Sequence, residues 1–147
     1  MSDSQTLEKH IQSLLTMKID DEQAIIATLG NLVKDFGVNN VQRERVPQQR
    51  HKNLLLHEFV RLGLLKTIDY AINELNFDVN AKRESDGNTA LHLAYWYQKP
   101  AIGELLKQLR ADATIENNYG ESVNDLERKR ESMMNIVWLD TGEIHQG

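Results

Sequence analysis

Residues 86–94 read Asp86-Gly87-Asn88-Thr89-Ala90-Leu91-His92-Leu93-Ala94, and this nonapeptide decides the architecture because parts of it return elsewhere. Tyr119-Gly120-Glu121-Ser122 follows Asp86-Gly87-Asn88-Thr89 at an interval of 33 residues. Upstream, Leu56-His57 precedes Leu91-His92 by 35. Intervals in this range mark a stack of like units, each too thin to bury its apolar side alone. Outward from the nonapeptide the apolar spacing is helical. Leu55, Leu56, Phe59 and Leu62, then Leu65, Ile68, Ile72 and Leu75, form one pair of stripes. Shorter runs cover 89–97 and 101–109, and a last helix is expected from Ser122 to about Met134.

With Leu105-Leu106 and the closing Ala111-Asp112, the nonapeptide resembles the ankyrin repeat. That family's signature is a Gly turn, Thr-Pro-Leu-His-x-Ala, paired helices and a final Gly-Ala-Asp. Gly63 stands where the family places glycine between its two helices, and Asp78-Val79-Asn80-Ala81 reads as the end of an earlier unit. The resemblance covers residues 53–121 well and 4–52 weakly. It implies an all-α chain: a short ankyrin-like solenoid of stacked helical pairs with a divergent N-terminal pair and a C-terminal capping helix. One domain over 1–147 then divides into 4–52, 53–85, 86–118, 119–134 and a tail, 135–147. Ala90, Gln98 and Arg110 depart from the pattern, replacing a Pro and two Gly. Either Gln98 and Arg110 adopt left-handed backbone at modest cost, or the turns differ there.

The N-terminal part carries two more stripes, Leu7, Ile11, Leu14, Leu15 and Ile19, then Ile25, Leu29, Leu32, Val33 and Phe36. Asp20, with Gln23 three residues on, is the expected N-cap of the second, and Gly37 its stop. Phe36-Gly37-Val38-Asn39 echoes Phe77-Asp78-Val79-Asn80. From Val38 to His57 is 19 positions, against 13 from Val79 to His92. Residues 38–52 are therefore expected to be an irregular, polar finger enlarged by about six residues.

Composition narrows the function. The 147 residues are 40% hydrophobic and 27% charged, with net charge −5. A single soluble globular domain fits these values, and a general coating of nucleic acid or anionic membrane does not. Cysteine is absent, which removes disulfides, thiolate nucleophiles and Cys-based metal sites. Met1 to Gln5 lacks a secretory start, and no apolar run spans a bilayer. An intracellular location, cytoplasmic or nuclear, is expected.

Catalytic motifs are missing. His57-Glu58 opens like a zinc-protease helix, but Arg61 stands where the second His is needed. Asp140 and Glu143 after Val137-Trp138-Leu139 lack a third acidic partner. Phosphate loops and nucleophile elbows are absent. The expectation is a non-enzymatic chain without metal or cofactor, monomeric alone. The ankyrin resemblance implies that His57 and His92 tie helix starts to neighbouring backbone. It also implies a protein partner bound at the finger tips (Lys82, Arg83, Glu84, Asn117, Asn118, Tyr119) and on the helices (Arg61, Trp96, Tyr97). Tyr95 would then face the stack, and the rings of Trp96 and Tyr97 either meet a partner or pack on the finger or tail. The alternative is a nucleic-acid-associated subunit using the basic finger 41–52, with Arg43, Arg45, Arg50 and Lys52 as phosphate contacts. Arg128-Lys129-Arg130, flanked by Glu127 and Glu131, reads as surface ion pairs of small value.

Overall fold

The apolar stripes become the buried sides of helices, except that Ile19 of the first lies beyond the end of its helix and is 51% exposed. The computed structural model describes the backbone of residues 3–47 and 50–146 and the side chains of 6–47 and 50–134. Among these residues there are eight helices and no strand: α1 (Asp3–Leu15), α2 (Glu22–Phe36), α3 (Val38–Arg43), α4 (Leu55–Leu62), α5 (Leu65–Asn73), α6 (Ala90–Trp96), α7 (Pro100–Gln108) and α8 (Val123–Gln146). The chain is all-α. No helix among the described residues is long and apolar enough to cross a membrane.

Helices pack in pairs, α1 on α2, α4 on α5 and α6 on α7, and the pairs lie side by side. α4 packs on α6 and α6 on α8, while α2 packs on α5 and α5 on α7. One continuous core follows. Ile11, Leu29, Val41, Leu55, Phe59, Ile68 and Leu106 are wholly excluded from solvent. Because the middle pair packs on both neighbours, α4 on α3 and α6 and α5 on α2 and α7, removing a neighbour exposes the next pair.

The linkers repeat their geometry. Between α4 and α5, Gly63 takes φ 77°, and Leu64 N–H donates to Phe59 O at 3.0 Å. Between α6 and α7, Gln98 takes φ 54°, and Lys99 N–H donates to Ala94 O at 2.9 Å. Past α5 and α7, Asn76 (φ 62°) and Arg110 (φ 74°) turn the chain in the same way. Of the two alternatives open at Gln98 and Arg110, the left-handed one is realised. Each forgoes the glycine that the conformation favours, at a cost of up to about 1 kcal/mol.

Three sequence expectations change. Asp21, one residue beyond Asp20, caps α2, its side chain accepting from Ala24 N–H at 3.2 Å. The segment 38–52 is not irregular throughout, because its first six residues form α3, with Val41 fully buried. The extra length is thus a helix that packs on α2 and α4, not a longer loop. α8 runs past Met134 to Gln146. The side chains of Trp138, Asp140 and Glu143 lie outside the described residues.

Candidate interaction surface

Two histidines fasten unit to unit. His57 Nε2 donates to Asn88 O, and His92 Nε2 to Glu121 O, each at 2.9 Å. A carbonyl only accepts, so Nε2 carries the proton and Nδ1 the lone pair. At His92 that lone pair accepts from the hydroxyl (2.8 Å) and backbone N–H (3.1 Å) of Thr89, the N-cap of α6. At His57 the N-cap is Leu54, which has no hydroxyl, and Nδ1 is buried without a partner among the described residues. Burial favours the neutral ring and drives the His57 pKa down to about 4. His92 is lowered for the same first reason, opposed by its bond to Glu121. Both histidines are structural ties, as the sequence implied.

The finger bases are knitted by a buried polar network. Arg83, 5% exposed, donates to Asp86 at 2.9 and 2.7 Å and to Asn53 at 2.7 Å. Asn53 Nδ2 reaches Glu58 at 3.0 Å, and Asn117 Nδ2 reaches Asn88 Oδ1 at 2.9 Å. Asn117 is 7% exposed. Arg83 and Asn117 are therefore withdrawn from the outer surface, contrary to the expectation that they contact a partner. Gly87 (φ 73°) belongs to the same lock, since a Cβ there would collide with Asn118, whose N–H donates to Asp86 O at 2.8 Å.

Glu58 is a buried carboxylate on α4, at 1% exposure. It accepts from Arg61 Nε at 2.6 Å and from the same guanidinium's terminal nitrogen. Arg61 is on the surface but is committed to neutralising Glu58, a role its position three residues on would have signalled. Glu22 was missed as well. Its carboxylate accepts from Thr67 N–H (2.9 Å) and hydroxyl (3.0 Å), so α2 caps the start of α5 from outside.

The remaining expected contacts are accessible. Lys82, Glu84 and Asn118 are exposed, and Tyr119 is 75% exposed at a finger tip. Trp96 (49%) ends α6 and Tyr97 (41%) follows as its C-cap, while Ala90 to Ala94 are all buried. Tyr95 points into the stack. Its hydroxyl donates to Leu126 O of α8 at 3.2 Å, while its ring meets the Trp96 indole edge-on at 5.2 Å. Tyr95 thus serves the fold, and half of the indole beside it faces solvent.

The basic finger is less cationic than its sequence. Arg45 and Lys52 both pair with Glu84. Arg45, Arg50 and Lys52 share a shallow hollow of about 500 Å³ with Glu8 and Glu44. Burial, then Glu8, raises the Glu44 pKa. Arg43 lies apart from them, exposed at the end of α3. Among the described residues no three His, Asp or Glu side chains converge as a metal site.

No family model matches the chain, and no curated protein shows significant similarity to it.

Proposed function

We propose that this chain is a short ankyrin-type stack that serves as a protein–protein interaction module, without catalytic activity of its own. The repeated linkers, the two histidine ties and the intervals of 33 to 35 residues support the repeat reading. The observation that carries the binding reading is the half-exposed Trp96 beside Tyr97, on a helix whose other residues are spent on the core. Exposed aromatics of this size favour interfaces, where truncating a central Trp commonly costs about 2 kcal/mol or more. Tyr119, Asn118 and Lys82 extend the surface toward the finger tips. The nucleic-acid reading has less support, since Glu84, Glu44 and Glu8 dilute the charge of Arg45, Arg50 and Lys52.

The test is a partner captured by the wild-type chain, identified by mass spectrometry, purified, and titrated against Trp96→Ala. A loss of about thirtyfold or more in affinity is expected, with a melting temperature that moves little. A melting shift with unchanged affinity per folded molecule would make Trp96 a packing residue and remove the basis of the proposal.

A further inference from the structure

The tetrapeptide Lys-Arg-Glu-Ser occurs twice, at 82–85 and at 129–132, and the fold treats the two copies oppositely. We propose that Ser132 is a phosphoryl acceptor for a protein kinase that reads cations on the N-terminal side of its target, and that the folded chain withholds Ser85. This assignment is independent of the interaction reading above.

In a kinase groove the substrate lies extended, and cations two and three residues before the acceptor pair with carboxylates of the enzyme. Ser132 has Arg128, Lys129 and Arg130 before it, and these three and the serine itself are exposed. The last described ties of α8 to the rest of the molecule are Tyr95 to Leu126 and Lys107 to Glu127 (3.4 Å). From Arg128 to Met134 every side chain is exposed, with Met133 at 67% and Met134 at 61%. A helical segment whose side chains are all largely exposed has little packing to hold it, so it opens at small cost and presents an extended strand.

Ser85 and Lys82, three residues before it, are also exposed, but the nearer recognition elements are occupied. Arg83, two residues before it, is buried against Asp86 and Asn53. Ser85 Oγ donates to His51 O at 2.6 Å, and Glu84 is paired with Arg45 and Lys52. Reading this copy requires the finger network to open first.

The step is ordinary phosphoryl transfer from a magnesium nucleoside triphosphate. Ser132 Oγ attacks the γ-phosphorus, the bond to the β-bridging oxygen breaks, and the diphosphate leaves. The hydroxyl proton passes to the kinase's catalytic carboxylate. On α8 the new dianion sits one turn from Arg128 and Lys129, and so competes with Asp125 for Arg128.

The test uses the full chain, the catalytic subunit of cyclic-AMP-dependent protein kinase and magnesium ATP, with initial rates read by peptide mapping. Peptides spanning 80–87 and 127–134 serve as references freed from the fold. The expected result is a ratio of Ser132 to Ser85 labelling at least about tenfold larger in the folded chain than between the two peptides, which differ on their own because Arg128 adds a third cation to one and Asp86 an acid to the other. Ser132→Ala removes that labelling. Lys129→Gln with Arg130→Gln slows it at least about tenfold, at an unchanged melting temperature. The proposal is overturned if Ser132 in the folded chain is not labelled, if Ser85 is labelled as fast, or if the two peptides already differ as the sites do.

Discussion

Leu54 occupies the N-cap of α4 with the backbone of a capping residue (φ −81°, ψ 167°), nearly that of Thr89 at the start of α6 (φ −89°, ψ 172°). A Thr at 54 would place its hydroxyl as Thr89 does, donating to the orphaned Nδ1 of His57 and accepting from the His57 backbone N–H. Leaving a buried acceptor unpaired costs about 1–3 kcal/mol, and an N-cap hydroxyl contributes about 1 kcal/mol. Leu54 is itself partly buried, so removing its methyls has a separate cost. Val, which matches Thr in shape, isolates the hydroxyl. Leu54→Thr is therefore expected to be about 2 kcal/mol more stable than Leu54→Val, a difference of about 4–8 °C in Tm for a chain of this size. Urea denaturation at pH 7.5 measures it, and Thr89→Val should show a loss of the same order. Equal midpoints for Leu54→Thr and Leu54→Val would refute the account of the histidine tie.

Other outcomes follow from the same geometry. Arg61→Ala should lower stability by about 1–3 kcal/mol, less than for a fully buried pair because Arg61 is half exposed, and adding Glu58→Gln should restore much of it; a double-mutant denaturation cycle tests this. Gln98→Gly and Arg110→Gly should each stabilise by up to about 1 kcal/mol by relieving positive φ, read as raised urea midpoints. Stability should fall on acidification. The folded His57 pKa of about 4 lies below the ordinary 6.5, so the unfolded chain takes up the proton first. The contribution is complete above about pH 6.5 and is lost between there and about pH 4, roughly 3 kcal/mol in all. Wild-type and His57→Gln denaturation curves from pH 7.5 to 4 should therefore converge.

The helices were legible in the sequence because their apolar spacing is a local property. Leu29, Phe59, Ile68 and Leu106 of these stripes are core. The roles of His57 and His92 were legible only through the resemblance to the ankyrin repeat. α3 was not, since Val38-Asn39-Asn40-Val41-Gln42-Arg43 is too polar and short for a periodic signal. It forms because Val41 finds the core and Asn40 Nδ2 donates to Phe36 O at 2.8 Å. Arg83 and Asn117 turn inward for a related reason. A repeat register says which residues occupy a finger, but long-range partners such as Asn53 and Asn88 decide whether a side chain turns inward. Glu22 capping Thr67 across 45 positions leaves no local trace at all.

The histidine ties have a mechanical corollary. Each spans only adjacent units, from His57 to Asn88 and from His92 to Glu121, so a load applied at the two ends reaches them in series. Bonds in series do not share force, and the weakest joint governs the first rupture. The joint at His57 lacks the hydroxyl brace that Thr89 gives His92. Stretched end to end, the chain should yield stepwise, and of the two histidine joints the one beside α4 should open before the one beside α6.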